Sequence, residues 1–304
     1  MPDFSGSYVR YNTPLAPLVT WGVGGAARMM FVPRTEDELA GAVSWIHSNG
    51  EDFFVLGGGS NVLISDAAFE IPVINTVKMS AITVRRSGDT AYMDCLAGTP
   101  MKEVLALSLK NGWSGLECAA GIPGTVGGAI AGNAGSKAGS VGASVESVVT
   151  LEPDGSRTVW SGSEINWGYR SCSLFEGEKR IAQSVTFRTT SSSKDEAARL
   201  AAETMRGRKF QPVSSRTAGC VFKNPPGNSA GKLLDMSGCK GISVGGARVS
   251  ESHANFIENH CGSARDILSL ALLCRKKVLM KFGTHLDFEV KIAGIWEAWP
   301  DVGE

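Results

Sequence analysis

The chain has 304 residues, of which 43% are hydrophobic and 20% are charged, a globular composition with room for two or three domains. Thirty basic residues balance thirty acidic ones, so the net charge does not favour binding to nucleic acid or to an anionic membrane. The sequence has no membrane-length apolar run and no signal peptide, which predicts a cytoplasmic protein. The seven cysteines contain no C-x-x-C pair, which predicts reduced thiols and no metal site. No obligate protein partner is expected.

An N-terminal arm and a small β-α-β unit are predicted first. Residues 1–20 contain three prolines and little periodicity, which indicates an arm without regular structure. Residues 28–33 predict a strand, and Thr35 with Glu38 forms the capping box of a helix. Residues 53–56 predict a second strand, which leads directly into a glycine-rich segment.

The middle of the chain predicts two hairpins, a helix and a strand. Alternating residues around SGDT predict a hairpin over residues 82–98, and VVTLE-PDG-SRTVW predicts another over residues 148–160. Residues 99–112 begin with Thr-Pro and end with Gly, the start and stop signals of a helix. Residues 180–188 predict a strand.

A basic cluster ends the next predicted helix. Ser193 starts that helix, which extends to about Phe210 and carries Arg206, Arg208 and Lys209 in its last turns. Cations at a helix C-terminus are favourable in themselves, and an anion-binding site would also need them. Both interpretations stay open from the local sequence.

Five elements are predicted downstream. They are an irregular segment (217–226), a short helix (230–237), a strand (255–258), a long helix that ends at Gly283 and a last strand (286–292). The last strand alternates strictly, with Glu289 on the face opposite its apolar residues. Glu289 is therefore either solvated or directed into a cleft.

Two uncharged glycine-rich segments suggest a cofactor site. Leu56–Leu63 reads LGGGSNVL, and Gly121–Gly135 contains six glycines in fifteen residues. Glycine allows positive φ and close backbone approach, and free backbone N–H groups bind phosphate. Either segment alone is explained equally well by tight turns or close packing. The two together favour a large phosphate-bearing cofactor, with the segments facing each other across it.

Several common site motifs are missing. Residues 21–27 fit the weaker G-x-G-x-x-A fingerprint, but a strand rather than a helix follows them, so they do not predict a dinucleotide site. No P-loop and no G-x-S-x-G elbow is present, and the four histidines lack metal-ligand spacing. Only His253, beside Ser252 and Asn255, is a candidate for substrate contact.

Seven motifs lie in an order that identifies a family. They are LGGGSNVL (56–63), GIPGTVGGAIAGNAG (121–135), WGYR (167–170), GCVFKNP (219–225), AGKLLD (230–235), GGARVSESHANFIEN (245–259) and FEVKIAG (288–294). From Trp21 to Gly294 the chain resembles the UDP-N-acetylenolpyruvoylglucosamine reductase family. Its length is similar to that of the shorter class, which lacks an inserted tyrosine-bearing loop.

The resemblance implies an α+β fold. An FAD-binding fold of the vanillyl-alcohol-oxidase type would comprise two subdomains, residues 1–80 and 81–192. Residues 193–304 would form an α+β substrate-binding domain, whose last strand (286–293) returns toward the active site.

The resemblance also implies a reaction. It is the NADPH-dependent reduction of UDP-N-acetylglucosamine enolpyruvate to UDP-N-acetylmuramate through non-covalent FAD, in bacterial peptidoglycan precursor synthesis. No separate Rossmann unit is present, so the nicotinamide would use the substrate cleft. The alternatives are an FAD-dependent alcohol oxidase of the same fold and a non-catalytic nucleotide-sugar-binding protein. The set of catalytic residues argues against the oxidase, and a purified protein without flavin would favour the binding protein.

Three matched positions would carry the chemistry. Hydride addition to the enolpyruvyl double bond leaves an enolate beside a carboxylate, which preorganised charge must stabilise. Arg170 matches the family's arginine, whose guanidinium suits a carboxylate. Glu289 matches the glutamate that would hold or polarise the same group in its protonated form. Cys220 occupies the position of the proton donor, which is commonly serine. A thiol of pKa about 8.5 is mostly protonated at neutral pH and is a stronger acid than a hydroxyl, although a buried cysteine is by default a small apolar residue.

Binding residues also follow from the resemblance. The FAD set is Gly57, Gly58, Gly59, Ser60, Asn61, Val62, Gly121, Ile122, Pro123, Gly124, Gly127, Gly128, Asn133 and Gly135, with the pyrophosphate at residues 57–61 and the flavin along the second segment. The substrate set is Arg206, Lys209, Lys223, Asn224, Lys232 and Asn255. Residues 171–175, directly after Arg170, are one residue longer than the family pattern.

Overall fold

The computed structural model describes residues 8–177, 179–212 and 215–296. They form two compact units. Within the described ranges, the first unit comprises residues 8–10, 29–58 and 71–209, and the second comprises residues 11–28, 59–70 and 210–296. None of the described helices is long and apolar enough to cross a membrane.

The elements are short in the first part of the chain. They are β1 (Val9–Pro14), β2 (Ala26–Phe31), α1 (Glu36–Ser48), β3 (Phe54–Leu56), β4 (Val62–Ile64), β5 (Val73–Asn75), β6 (Ile82–Ser87), β7 (Thr90–Leu96), α2 (Met101–Asn111), β8 (Trp113–Ser114), α3 (Val126–Ala131), β9 (Gly135–Ser136) and β10 (Gly139–Ser140). The remainder contains β11 (Val145–Leu151), β12 (Arg157–Ser161), β13 (Trp167–Gly168), β14 (Ser171–Cys172), β15 (Ile181–Ser191), α4 (Lys194–Arg206), α5 (Ala230–Met236), β16 (Ser243–Val244), β17 (Ala247–Val249), β18 (Ile257–Asn259), α6 (Ala264–Phe282) and β19 (Lys291–Ala293). Single 3-10 turns lie at Ala16–Leu18, Thr76–Lys78, Glu117–Ala119, Val141–Ser144 and Ser173–Phe175.

Both units contain parallel and antiparallel strand pairs. One sheet has the order β1-β2-β5-β3, in which β5 runs parallel to both β2 and β3. An antiparallel sheet of the first unit has the order β12-β11-β15-β7-β6, with β8 added beside β15. The second unit contains the antiparallel sheet β16-β17-β18 and the parallel pair β4-β19. This mixture agrees with the predicted α+β class.

Each unit buries its own apolar core. In the first unit, the apolar face of α1 packs against residues such as Phe31 and Ile74, and a second core under the antiparallel sheet contains Met93 and Phe187. In the second unit, α5 and α6 pack together in a core that includes Trp21, whose indole Nε1 donates to the Ile257 carbonyl at 2.9 Å. The long-range placement of Trp21 explains why residues 11–28 belong to the second unit.

Capping signals in the sequence give the helix starts correctly. Thr35 accepts a hydrogen bond from the Glu38 N–H at 3.1 Å, and Ser193 accepts one from the Glu196 N–H at 3.1 Å. Both predicted hairpins and the strand after them are present. Helices α2 and α6 end at glycines in the left-handed conformation, as their sequences predict.

Four local predictions are wrong. The arm contains strand β1, because its backbone pairs with β2 even though the strand ends in Pro14. Thr99 does not cap α2, because its hydroxyl bonds to the backbone of Ala81 instead. Helix α3 lies inside the second glycine-rich segment. The last strand is regular only in β19, because the N–H groups of Glu289 and Val290 both turn toward the Val221 carbonyl.

The position of α4 bears on the boundary between the two units, and the predicted domain boundary at residue 193 stays a prediction. Helix α4 belongs to the first unit, where it packs on α2 and on the turn Glu117–Ala119. Its buried residues are Ala197 and Ala201, whose small side chains allow close packing. The chain passes to the second unit only after Lys209. The division of residues 1–192 at residue 80 stays a prediction.

Candidate active site

The two glycine-rich segments meet directly in the first unit. A Cβ on Gly57 would lie 2.6 Å from Thr125 Oγ1, and one on Gly58 would lie 3.0 Å from Gly124 Cα. Both glycines therefore permit a close backbone approach. At this point the segments touch rather than facing each other across a ligand.

Thr125 is a residue that the sequence reasoning missed. Its side chain is 4% exposed, and its Oγ1 has no hydrogen-bond partner among the described residues. Buried hydroxyls are nearly always hydrogen-bonded, so an unpaired one beside the exposed glycines Gly58 and Gly128 fits a polar ligand such as the diphosphate of FAD. The sequence signal that could have identified Thr125 is a hydroxyl-bearing residue inside a glycine-rich segment without charged residues.

Packing explains other glycines of the second segment. Gly121 has φ +75, and a Cβ there would lie 2.6 Å from Met205 Sδ. Gly127 packs on Ala97, and its N–H already donates to the Ala97 carbonyl at 2.8 Å. The N–H of Ile122 donates to the Ala119 carbonyl, and Pro123 is exposed. The amides of Ile122 and Gly127 are thus engaged within the protein.

The end of the first segment lies in the second unit. Gly59 has φ +62, and a Cβ there would overlap the Leu18 carbonyl oxygen. Asn61 donates from Nδ2 to the Glu289 carbonyl at 3.2 Å, and the backbone carbonyl of Asn61 accepts from the Lys291 N–H at 3.1 Å. Ser60 is partly buried, and Val62 begins β4, which pairs with β19. This segment therefore holds the backbone around Glu289.

Arg170 lies at the tip of a short hairpin in the first unit. The arginine hairpin (Trp167–Cys172) pairs β13 with β14 and connects them through two residues, Tyr169 and Arg170. Arg170 has φ +57, a left-handed conformation that is costly for a residue with a Cβ. Its Nη2 donates to the Gly135 carbonyl at 3.2 Å, and its guanidinium lies 5.2 Å from the Tyr169 ring centroid.

Cys220 lies in an irregular crossing of the second unit. The cysteine segment (Gly219–Phe222) forms isolated antiparallel bridges, from Cys220 to Phe256 and from Phe222 to Phe288. Cys220 is half-buried, whereas Phe222 is 2% exposed in the core. The Val221 carbonyl accepts from the Glu289 N–H at 2.8 Å. The backbone of Glu289 is thus hydrogen-bonded to the residue directly after Cys220.

The predicted substrate residues have different surroundings. Arg206 and Lys209 are exposed at the end of α4 in the first unit. In the second unit, Lys223 is half-buried, Lys232 is exposed on α5, and Asn224 Oδ1 accepts from the Ala230 N–H at 3.0 Å.

Asn255 and His253 form the support of the cysteine segment. Asn255, 3% exposed, donates from Nδ2 to the Phe222 carbonyl at 2.8 Å and accepts from the Phe222 N–H at 3.0 Å. Its own N–H donates to His253 Nδ1 at 3.3 Å. Burial lowers the pKa of His253 below its ordinary value. The Asn255 side chain therefore holds the backbone of Phe222, two residues after Cys220, and its predicted contact with substrate stays a prediction.

Comparisons with known proteins connect both units to one enzyme. Residues 27–160 match the FAD binding domain family, and residues 211–293 match the C-terminal domain of UDP-N-acetylenolpyruvoylglucosamine reductase. The chain is 38% identical to that reductase from Moorella thermoacetica, over 93% of this chain and 92% of the relative. It is 36% identical to the reductase from Syntrophobacter fumaroxidans, over 93% of this chain and 83% of the relative.

A solved structure agrees with these sequence relatives. The crystal structure of the reductase from Thermus caldophilus superposes with a TM-score of 0.78 and 34% identity. The match covers 93% of this chain and 97% of that one.

Proposed function

The chain belongs to the UDP-N-acetylenolpyruvoylglucosamine reductase family, and we propose that Arg170, Cys220 and Glu289 carry its reaction. It is an FAD-dependent oxidoreductase that uses NADPH to reduce UDP-N-acetylglucosamine enolpyruvate to UDP-N-acetylmuramate, in peptidoglycan precursor synthesis. The observation that carries this conclusion is the 38% identity over 93% of the chain. It confirms the predicted family, enzyme class and cofactors, and it rejects the oxidase and the binding-protein alternatives.

The predicted fold class is confirmed as well. The chain has an FAD-binding fold of the vanillyl-alcohol-oxidase type and a C-terminal substrate-binding domain. The substrate is a small UDP-linked sugar, and the cytoplasm, where we place the reaction, supplies both it and NADPH.

We propose that backbone groups and one hydroxyl bind FAD. Gly57 and Gly58 bring the first segment against Gly124 and Thr125, and the unpaired Thr125 Oγ1 would donate to a phosphate oxygen. When bound, FAD supplies the hydride chemistry, because it accepts hydride from NADPH and passes it to the substrate. The assignments of Gly59–Val62, Gly121–Pro123, Gly127, Asn133 and Gly135 stay predictions.

We assign charge stabilisation to Arg170 and Glu289. Hydride adds to the terminal carbon of the enolpyruvyl group, and negative charge develops on the adjacent carbon and its carboxylate. Arg170 would hold that carboxylate through two N–H groups, already oriented before the substrate arrives because Gly135 and Tyr169 hold the guanidinium. A protonated Glu289 would donate a hydrogen bond to the same group.

We assign the final proton to Cys220. The thiol would donate its proton to the carbon that carries the carboxylate, so the substrate gains one hydride and one proton and its double bond becomes a single bond. The thiolate that remains recovers a proton from solvent before the next turnover. The half-buried position of Cys220 supports this role, because a fully buried thiol would meet neither substrate nor water.

An anaerobic experiment tests the roles of these residues. NADPH and then the enolpyruvyl UDP-sugar are added to the holoenzyme, while flavin absorbance is followed. We expect Cys220→Ala to bleach with NADPH at the parent rate but to recover at least about 100-fold more slowly with substrate. Cys220→Ser should retain much of the recovery. Equal loss in both phases, or rapid recovery in Cys220→Ala, would reject the assignment.

A further inference from the structure

The Asn133 side chain, in the second glycine-rich segment, hydrogen-bonds through both of its polar ends, to the arginine hairpin and to the turn Val141–Ser144. Its Nδ2 donates to the Gly168 carbonyl at 2.8 Å, and its Oδ1 accepts from the Gly142 N–H at 3.1 Å. Asn133 is 4% exposed. Both polar ends of this buried side chain are therefore bonded to backbone, and the flavin contact that the sequence predicts for Asn133 stays a prediction.

Close packing around Asn133 restricts the position of its side chain. Gly142 cannot be replaced without collision, because a Cβ there would lie 2.5 Å from the Trp167 ring and 2.8 Å from Asn133 Oδ1. The Trp167 indole donates to the Gly162 carbonyl at 3.0 Å. The position of the amide is therefore fixed by packing as well as by hydrogen bonds.

Strained backbone is concentrated in the same place. Among the described residues, only three other than glycine have positive φ: Asn12, Asn133 and Arg170. Two of the three belong to this one arrangement. Residues in this conformation persist where their surroundings over-determine them, and they cluster at functional sites. The Asn133 amide fixes one end of the β13–β14 pair, and the Gly135 carbonyl two residues later holds the Arg170 guanidinium.

We propose that Asn133 is a positioning residue for Arg170: its amide holds the arginine hairpin so that the guanidinium is aimed at the substrate carboxylate. The proposal rests on the role proposed for Arg170 above. Loss of the amide leaves the polypeptide folded but lets the hairpin tip shift, and a shift of about 1 Å in a binding group costs roughly 100-fold in rate.

The main test removes the amide without changing the backbone preference. Asn133→Gly tolerates positive φ, and Asn12→Gly is the matched control, because Asn12 also has positive φ but is exposed. We expect Asn133→Gly to bleach with NADPH at close to the parent rate and with an unchanged flavin spectrum. Its recovery with the enolpyruvyl UDP-sugar should be about 10- to 100-fold slower. Asn12→Gly should match the parent in both phases.

A double-mutant cycle shows whether the effect passes through Arg170. In an Arg170→Lys background, Asn133→Gly should slow recovery by less than about 3-fold, because the group that it positions is already gone. A full additional loss, or loss of flavin reduction or flavin content in Asn133→Gly, would overturn the proposal and leave the role of Arg170 intact. Parent-rate recovery in Arg170→Lys alone would overturn the role of Arg170, and the positioning proposal with it.

Asn133→Asp identifies the hydrogen bond that matters. It keeps an acceptor for the Gly142 N–H but loses the donor to the Gly168 carbonyl, so it should also recover slowly. Parent-rate recovery in this variant would overturn the proposal.

Hydrogen exchange gives a measurement that does not depend on activity. Residues 166–173 and the Gly142 amide should exchange faster in Asn133→Gly than in the parent or in Asn12→Gly, in the protein with or without added FAD. Unchanged exchange in these residues would overturn the proposal.

Discussion

The arginine hairpin and the cysteine segment each have a buried asparagine amide beside a proposed catalytic residue, but the two amides are used differently. Asn133 joins two separate stretches of backbone, at Gly168 and Gly142. Asn255 forms hydrogen bonds to both the N–H and the carbonyl of one residue, Phe222. Phe222 belongs to the apolar core, whereas the hairpin tip is partly exposed. On this comparison, the Asn133 amide orients the Arg170 guanidinium, and the Asn255 amide stabilises the fold.

Backbone strain is also distributed differently. In the hairpin, the residue with positive φ is Arg170 itself, whereas in the cysteine segment it is Gly219, directly before Cys220. Glycine adopts this conformation without steric cost. The hairpin thus retains strain in a residue proposed to be catalytic, and the cysteine segment avoids it through a neighbour.

The largest expected difference is in stability after loss of each amide. Asn255→Ala leaves the N–H and the carbonyl of Phe222 unpaired in the core, which should lower the free energy of unfolding by about 2–4 kcal/mol. Asn133→Gly should lower it by less, because the Gly168 carbonyl that it leaves unpaired is only partly buried. Denaturant unfolding followed by circular dichroism measures both variants. Equal losses would show that the two amides have the same role, contrary to the comparison.

A pair of glycine substitutions tests the distribution of strain. Gly219→Ala should destabilise the protein by about 1–2 kcal/mol through positive φ alone, since no atom lies within 4 Å of the added Cβ. In the hairpin, Arg170→Gly should be about 1 kcal/mol more stable than Arg170→Ala, although both are inactive. The same unfolding measurement applies. Arg170→Gly and Arg170→Ala of equal stability would show that the hairpin is not strained.

Of the two regions, only the cysteine segment should lose stability in acid. This effect should be the smallest of the three predicted here. Burial, with Lys240 nearby, lowers the pKa of His253 below its ordinary 6.5, and His253 Nδ1 accepts the Asn255 N–H only when it is unprotonated. As the pH falls below 6.5, the unfolded chain binds this proton before the folded one does, so the stability contributed above pH 6.5 is progressively lost.

A histidine substitution provides the measurement. The parent should lose more stability between pH 7 and pH 5 than His253→Gln does. Hydrogen exchange corrected for its intrinsic pH dependence should rise in residues 219–222 but not in residues 166–173, which contain no histidine or carboxylate. An equal pH dependence in parent and variant would remove His253 from this support.

The sequence by itself determined the family, the main helices and hairpins, and the chemical types of the proposed catalytic groups. Helix caps such as Thr35 and Ser193 act over three residues, and hairpins alternate over neighbouring residues, so their signals are local and readable. The order of seven motifs identified the family because it combined many weak local signals.

Only the tertiary structure decided which polar groups serve other parts of the protein. Asn133 and Asn255 find their partners 35 and 33 residues away, and no periodicity or motif spacing encodes such a contact. The same holds for Thr125, whose unpaired hydroxyl lies beside Gly57 of the other glycine-rich segment, and for α4, which joins the first unit through small buried alanines. Hydrogen bonds and packing between distant segments depend on the completed fold, and the local sequence does not contain them.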